Sequence, residues 1–167
     1  MSMLEGEMKY YYPGNIIAVI GDYKKSLKNG KWVYYNRSGK IITQVENYKL
    51  GDYEGYYAEW SERDGTPKLN GAYKQGKKNA KWTYFDETGK LEKDSSFFVG
   101  YIHGSCTEYY QNGTEKSESN YYFSNPTGKR TEWDETGKVV KEDFFDSIEE
   151  VKKKMAIKEK EKKKKQK

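Results

Sequence analysis

The sequence predicts an all-β protein: an elongated antiparallel meander of six tandem β-hairpin repeats, about twelve strands, followed by a short C-terminal α-helix and a basic tail. Three observations carry this expectation. A small residue, a turn glycine and two aromatic positions recur six times along the chain. The segments between them are rich in aromatic and β-branched residues, which suit a half-buried pleated strand. After Phe145 the period-two pattern stops and lysine takes over.

Stacked units share a core that no single unit can build, so self-similarity is the first thing to establish. Units start at Gly6, Gly30, Gly55, Ala80, Gly104 and Gly128, spaced 24, 25, 25, 24 and 24 residues. Five positions on lie Tyr11, Tyr35, Trp60, Phe85, Tyr109 and Trp133. A second aromatic column is read at Tyr23, Tyr48, Tyr73, Phe98, Tyr122 and Phe145. Between the two columns every unit carries a glycine: Gly14, Gly39, Gly65, Gly89, Gly113 and Gly137.

Each column has a physical role. Lys31-Trp32-Val33-Tyr34-Tyr35 and Lys81-Trp82-Thr83-Tyr84-Phe85 read as strands. Asn36-Arg37-Ser38-Gly39 and Asp86-Glu87-Thr88-Gly89 read as tight turns, because Asn and Asp bond their own backbone and Gly supplies positive φ. A second strand follows, and a looser loop is expected to return to the next unit. Alternation puts Val33 and Tyr35, Ala58 and Trp60, and Thr83 and Phe85 on a packed face. Trp32 and Tyr34, Tyr57 and Glu59, and Trp82 and Tyr84 then share a mixed face. An isolated hairpin is marginal in water, so neighbours must supply the stability.

Composition fits a thin, extended core. Apolar residues make up 34% and charged residues 34%, a balance that alone would favour disorder, but aromatics reach 16%. Glu149–Lys167 holds ten of the 31 basic residues and only four of the 26 acidic ones, so the repeat region is nearly neutral and the tail is basic. One cysteine, Cys106, excludes an internal disulfide framework and a multi-cysteine zinc site. No apolar run approaches the ~18 residues of a membrane-spanning helix. Cytoplasmic residence is the default expectation. The repeat begins so early that a removed leader, and hence export, stays open.

The repeat region is read as 6–146 and the C-terminal segment as 147–167. Ser147-Ile148-Glu149-Glu150 is a capping-box sequence, and Ile148, Val151 and Met155 form a narrow stripe that would dock on the last hairpin. From Lys158 to Lys167 nothing apolar remains, which predicts a solvated helix or frayed coil.

The unit Gly-Lys-Trp-x-Tyr-Tyr-x-x-x-Gly-Lys, at Gly30–Lys40 and nearly repeated at Ala80–Lys90, resembles the bacterial variant of the MORN repeat. That variant also defines a group named YwqK-family antitoxins. The resemblance runs from Gly6 to about Phe145; Ala80 and the pair Tyr56-Tyr57 depart from its pattern. It implies an elongated single-layer hairpin array without catalysis, acting through protein or lipid contacts. The antitoxin group implies a toxin partner. Choline-binding and clostridial-toxin repeats are also similar in their Tyr-Tyr pairs and glycine turns.

His103 and Cys106 form His-x-x-Cys, but neither has a second ligand or a triad partner, and the repeat explains both positions. Asp86, Glu87, Asp134 and Glu135 fit turn chemistry rather than a calcium loop or a glycosidase pair. The expectation is therefore no enzyme, no cofactor, no metal and no small-molecule substrate. The mixed face, with Trp32, Tyr34, Tyr57, Trp82 and Tyr84, is the candidate partner-binding surface, because exposed aromatic patches mark interfaces. A protein partner is expected there, with an aromatic ladder for glycan or choline as the alternative. Weak contact with anionic lipid or nucleic acid through Lys158–Lys167 is the remaining reading.

Overall fold

The computed structural model describes residues 3–165. Its strands are β1 (Gly6–Tyr12), β2 (Ile16–Lys24), β3 (Leu27–Tyr35), β4 (Ile42–Lys49), β5 (Asp52–Tyr53), β6 (Gly55–Trp60) and β7 (Pro67–Lys74). They continue with β8 (Lys77–Phe85), β9 (Leu91–Phe98), β10 (Tyr101–Tyr109), β11 (Glu115–Tyr122), β12 (Asn125–Trp133) and β13 (Val139–Phe144), before helix α1 (Ile148–Lys165). All thirteen belong to one antiparallel sheet in chain order, with the short β5 paired to β4. The strand beyond the expected twelve arises because Glu54 interrupts the third unit between β5 and β6, where other units run through.

Two kinds of turn alternate along the sheet. Within a unit the turn is built as the sequence predicts: Gly89 has φ 83° and donates to Asp86 O at 3.0 Å. The Asp86 carboxylate accepts from Thr88 N–H at 2.7 Å, and Asp134 repeats this with Thr136 N–H at 3.0 Å. The connection between units is not the looser loop expected. It is a two-residue turn in which both central residues have positive φ, as at Leu50 (50°) with Gly51 (93°) and Val99 (50°) with Gly100 (87°). Such turns match the right-handed twist of the strands they join. Successive return turns are also bonded to one another: Gly51 N–H donates to Lys28 O, Gly76 N–H to Tyr53 O and Gly100 N–H to Lys78 O, all at 2.8–2.9 Å.

In four units, at Gly30, Ala80, Gly104 and Gly128, the small starting residue is a bulge inside a strand, whereas Gly6 and Gly55 begin theirs. Asp22 pairs with Asn29 and Ile20 with Val33, so the single residue Gly21 faces Gly30, Lys31 and Trp32. The chain absorbs the extra residues through positive φ at Gly30 (71°), Ala80 (59°), Gly104 (97°) and Gly128 (67°). Across the other edge the starting residue pairs with an aromatic: Gly30 with Tyr48, Gly55 with Tyr73, Ala80 with Phe97 and Gly104 with Tyr121. The second aromatic column therefore runs through Phe97 and Tyr121, not Phe98 and Tyr122. A one-residue slip along a strand reverses the face, and Phe98 is accordingly 49% exposed.

The core is a ladder of rings on one face. Tyr23 meets Trp32 edge-on at 5.1 Å, and Trp32 meets Tyr48 at 6.5 Å. Tyr48 stacks on Tyr53 at 4.6 Å, and Tyr53 stacks on Tyr73 at 4.8 Å. Tyr73 meets Trp82 edge-on at 5.0 Å, and Trp82 meets Phe97 at 6.4 Å. Offset and edge-on ring pairs each add about 0.5–1.5 kcal/mol beyond area burial. The opposite face is covered by small side chains, with Ala18, Val45 and Ala58 buried.

At the C-terminal end, Ser147 and Glu150 form the expected capping box: Ser147 N–H donates to Glu150 Oε2 at 2.7 Å and Glu150 N–H to Ser147 Oγ at 3.3 Å. Of the predicted stripe only Val151 is buried, whereas Ile148 and Met155 stay largely exposed. The helix continues through the lysine-rich segment to Lys165. Gln166 and Lys167 lie outside the described residues.

Candidate functional site

Trp32 and Trp82, expected on an exposed face, are instead the two most deeply buried large side chains, at 2% and 1% exposure. The reason is local. Each indole lies flat on a glycine of the preceding strand, Gly21 or Gly71, where no side chain holds it away from the backbone. Each indole N–H donates to a carbonyl at 3.1 Å, that of Asp22 or Ala72. A lysine then closes over the ring: Lys28 Nζ lies 4.4 Å from the Trp32 centroid and Lys78 Nζ 4.1 Å from that of Trp82. Tyr34, Tyr57 and Tyr84 are half-buried beside them. The two tryptophans are packing groups, removed from any surface that a partner or sugar can touch.

Sequence reasoning missed the group at the centre of the first cluster. Glu46 is 4% exposed and pairs across the sheet with Trp32. Its carboxylate accepts from the hydroxyls of Tyr34, Tyr48 (2.9 Å) and Tyr53 (2.8 Å), from Gln44 Nε2 at 3.0 Å, and lies 3.4 Å from Lys28 Nζ. Burial alone would push this carboxyl up. The hydrogen bonds from Tyr34, Tyr53 and Tyr48 and the Lys28 charge outweigh it and hold Glu46 below the usual glutamate range. The same burial, with the anion beside it, pushes the Tyr34 and Tyr48 hydroxyls up. Lys28 donates onward to Tyr34 OH at 2.6 Å, so cation, phenols and carboxylate form one closed network.

Two units later the same scaffold carries different side chains. Lys78 again donates to Tyr84 OH, at 3.0 Å, over Trp82. The residue paired with Trp82 is now Ser95, and the positions of Tyr48, Tyr53 and Tyr57 hold Phe97, Ile102 and Cys106. With Glu46 and Tyr53 replaced by the smaller Ser95 and Ile102, a cleft of about 510 Å³ opens here, lined among others by Tyr84, Lys93, Ser95, Phe97, Ile102 and Glu108. Lys93 takes the place of Gln44 and pairs with Glu108 at 3.1 Å. Among the described residues Lys78 forms no ion pair.

Cys106 is buried with its Sγ 3.3 Å from Ser95 Oγ. His103 lies on strand β10, with ring centres of Phe98, Tyr122 and Phe123 at 5.0–5.7 Å. Among the described residues no three His, Cys, Asp or Glu side chains converge as a metal site. The turn carboxylates Asp86 and Asp134 are held low by the threonines they cap, and Glu87 and Glu135 are exposed beside them.

Residues 4–25, 28–50, 78–98, 102–121 and 126–147 match the MORN repeat variant family, more than half of the chain. The chain belongs to this family. The stretch left unmatched contains β6 and β7, where Tyr56-Tyr57 stands in place of the Lys-Trp of the second and fourth units although the hairpin register is the same. No curated protein matches the chain. Among solved structures, the "Crystal structure of GtfA/B complex bound to UDP and GlcNAc" shares 14% identity over 77% of this chain, with a TM-score of 0.21. This MORN protein spans 22% of that chain's length.

While some exposed apolar groups of this MORN array, such as Tyr11, Tyr56, Val140 and Phe144, stand elsewhere, others lie along the edge formed by the return turns. Leu27, Leu50, Phe98, Val99 and Tyr101 are 40–52% exposed there. Along the same edge the backbone bonds between successive turns hold these residues in fixed relation.

Proposed function

We propose that the chain is a non-enzymatic protein-interaction scaffold that meets its partner along the return-turn edge. One observation carries the reading: Leu27 and Leu50 stand exposed at the first two return turns and Val99 and Tyr101 at the fourth, with the polar Gln75-Gly76 turn between them, all on a rigid hydrogen-bonded rail. Exposed apolar side chains held on one fixed edge mark surfaces that gain by desolvation on association. An antitoxin-like role, in which the partner is a toxin, is the narrower form of this proposal and draws its support from the repeat type. The test uses the intact chain and a Leu50→Lys, Val99→Lys, Tyr101→Lys variant as bait in native lysate. One stoichiometric partner retained by the parent and lost from the folded variant is the expected result. Retention of the same partner by the variant, or no stoichiometric partner at all, overturns the proposal.

A second reading rests on α1, whose lysines are exposed through Lys164. Each lysine near an anionic bilayer contributes about 1 kcal/mol, so the helix supports weak, salt-sensitive attachment to lipid or nucleic acid. Deleting Lys158–Lys167 then abolishes salt-sensitive binding to anionic vesicles or RNA. Unchanged binding rejects this reading.

A further inference from the structure

We propose that the cleft between β9 and β10 is a binding site for a carboxylate carried on an apolar body. The template is internal to the molecule. In the Glu46 cluster a carboxylate sits against Lys28 and accepts the Tyr34 hydroxyl. In the Ser95 cluster the same cation and phenol recur as Lys78 and Tyr84, with nearly the same geometry: ammonium to phenol 2.6 Å and 3.0 Å, ammonium to indole 4.4 Å and 4.1 Å. Glu46 becomes Ser95 and Tyr53 becomes Ile102, and both smaller residues line the cleft of about 510 Å³.

The donor set defines the ligand. Tyr84 OH accepts from Lys78 and keeps its own proton to donate, as Tyr34 does toward Glu46. Lys78 does not itself line the cleft: its half-buried side chain adjoins it through Tyr84 and Phe97, which do. Lys78 forms no ion pair among the described residues, so an anion that reaches it beside Tyr84 completes a charge-assisted pair. Tyr48 and Tyr53, which hold Glu46 from the far side, are here Phe97 and Ile102. The ligand therefore meets Tyr84 and Lys78 at its carboxylate and Phe97 and Ile102 along its body, while Glu92, Lys93, Glu108 and Lys116 make the rest of the lining charged. Glu108 is already engaged with Lys93 on the other wall, which bars a second anion there. An acidic side chain of a protein and a free small acid share this chemistry. The site uses none of the exposed side chains Leu27, Leu50, Val99 or Tyr101, so failure of one proposal leaves the other standing.

The test follows the indole N–H resonance of Trp82, whose ring touches Lys78, by ¹⁵N-correlated NMR of the full chain. The probes are 3-phenylpropionate and a capped peptide with one glutamate between two phenylalanines; 3-phenylpropionamide and the glutamine peptide are the neutral controls. Saturable shifts of Trp82 with an acid, at least about tenfold weaker with its amide, are expected from one charge-assisted hydrogen bond. A response to the peptide alone assigns the carboxylate to a protein side chain, and a response to phenylpropionate alone assigns it to a small acid. Ser95→Glu supplies the carboxylate from within and abolishes binding. Should that variant fail to fold, Lys78→Met retains the packing and erases the preference for acid over amide. Equal shifts with acids and amides, no saturable shift with either acid, or unchanged preference in Lys78→Met overturns the proposal.

Discussion

The five-membered ring of Trp32 rests over Gly21, so that a Cβ built there would lie 2.6 Å from the indole Cγ. Trp82 and Gly71 repeat the relationship at the same 2.6 Å. These two glycines serve space rather than backbone freedom, since neither has positive φ. Gly21→Ala and Gly71→Ala are each expected to destabilise the chain by roughly 1–3 kcal/mol, the cost of overpacking a fitted site. Urea unfolding checks this, and a midpoint within error of the parent in both variants would remove the indole-on-glycine contact from the core.

Ala80 presents the opposite case. It occupies a bulge with φ 59°, where its counterparts Gly30 and Gly128 have nothing within 4 Å of a built Cβ. The column thus selects glycine for its backbone alone. Relief of left-handed strain in Ala80→Gly, about 1–2 kcal/mol, is partly offset by the extra entropy of an unfolded glycine, about 0.5–1 kcal/mol. A net gain of roughly 0.5–1 kcal/mol is expected by chemical denaturation, whereas a loss would show that the methyl group packs.

These two cases explain what the sequence could reveal. Gly39, Gly89 and Gly137 were legible because a tight turn demands positive φ, and glycine advertises that demand locally. Strand and turn order followed from them. Burial of Trp32 and Trp82 was not legible, because the seat of each ring lies eleven residues upstream, across a bulge that alternation ignores. The slip from Phe98 to Phe97 has the same origin, since pairing with Ala80 and not spacing from the unit start decides the face. Glu46 was invisible for a different reason. A glutamate in a strand reads as solvated, and its phenolic donors come from β3, β4 and β5, brought together only by the sheet.

Stability of the Glu46 network should depend on pH in a defined direction. Its folded carboxyl lies below the ordinary value of 4.5. The unfolded chain therefore binds the proton first as pH falls. The stabilisation is complete above about pH 4.5 and is lost as pH drops through the lower folded value. Glu46→Gln keeps the shape but removes the charge-assisted bonds, costing about 1.5–3 kcal/mol at pH 7. The difference between parent and variant should shrink on acidification below pH 4.5. Paired denaturation curves across pH 3–7 measure it (the range brackets the carboxylate transition, about 4). A difference constant over that range would mean that Glu46 is not ionised in the fold.

Val151 is the one residue of α1 buried against the end of the sheet, at 5% exposure. Few other contacts hold the helix: Asn125 Nδ2 lies 3.8 Å from Met155 Sδ, and Lys154 pairs with Asp146. Val151→Asp would put a carboxylate into that seat, a change whose burial without a partner costs several kcal/mol, so the helix is expected to undock instead. In a repeat array each unit leans only on its neighbours, and loss of the cap should act locally. Hydrogen exchange should accelerate in β12, β13 and α1, while β2–β4, clamped by the Trp32 and Glu46 clusters, keep the parent's protection. Uniform acceleration across all strands would instead show that the sheet unfolds as a single cooperative body, with the helix as a keystone rather than an end cap.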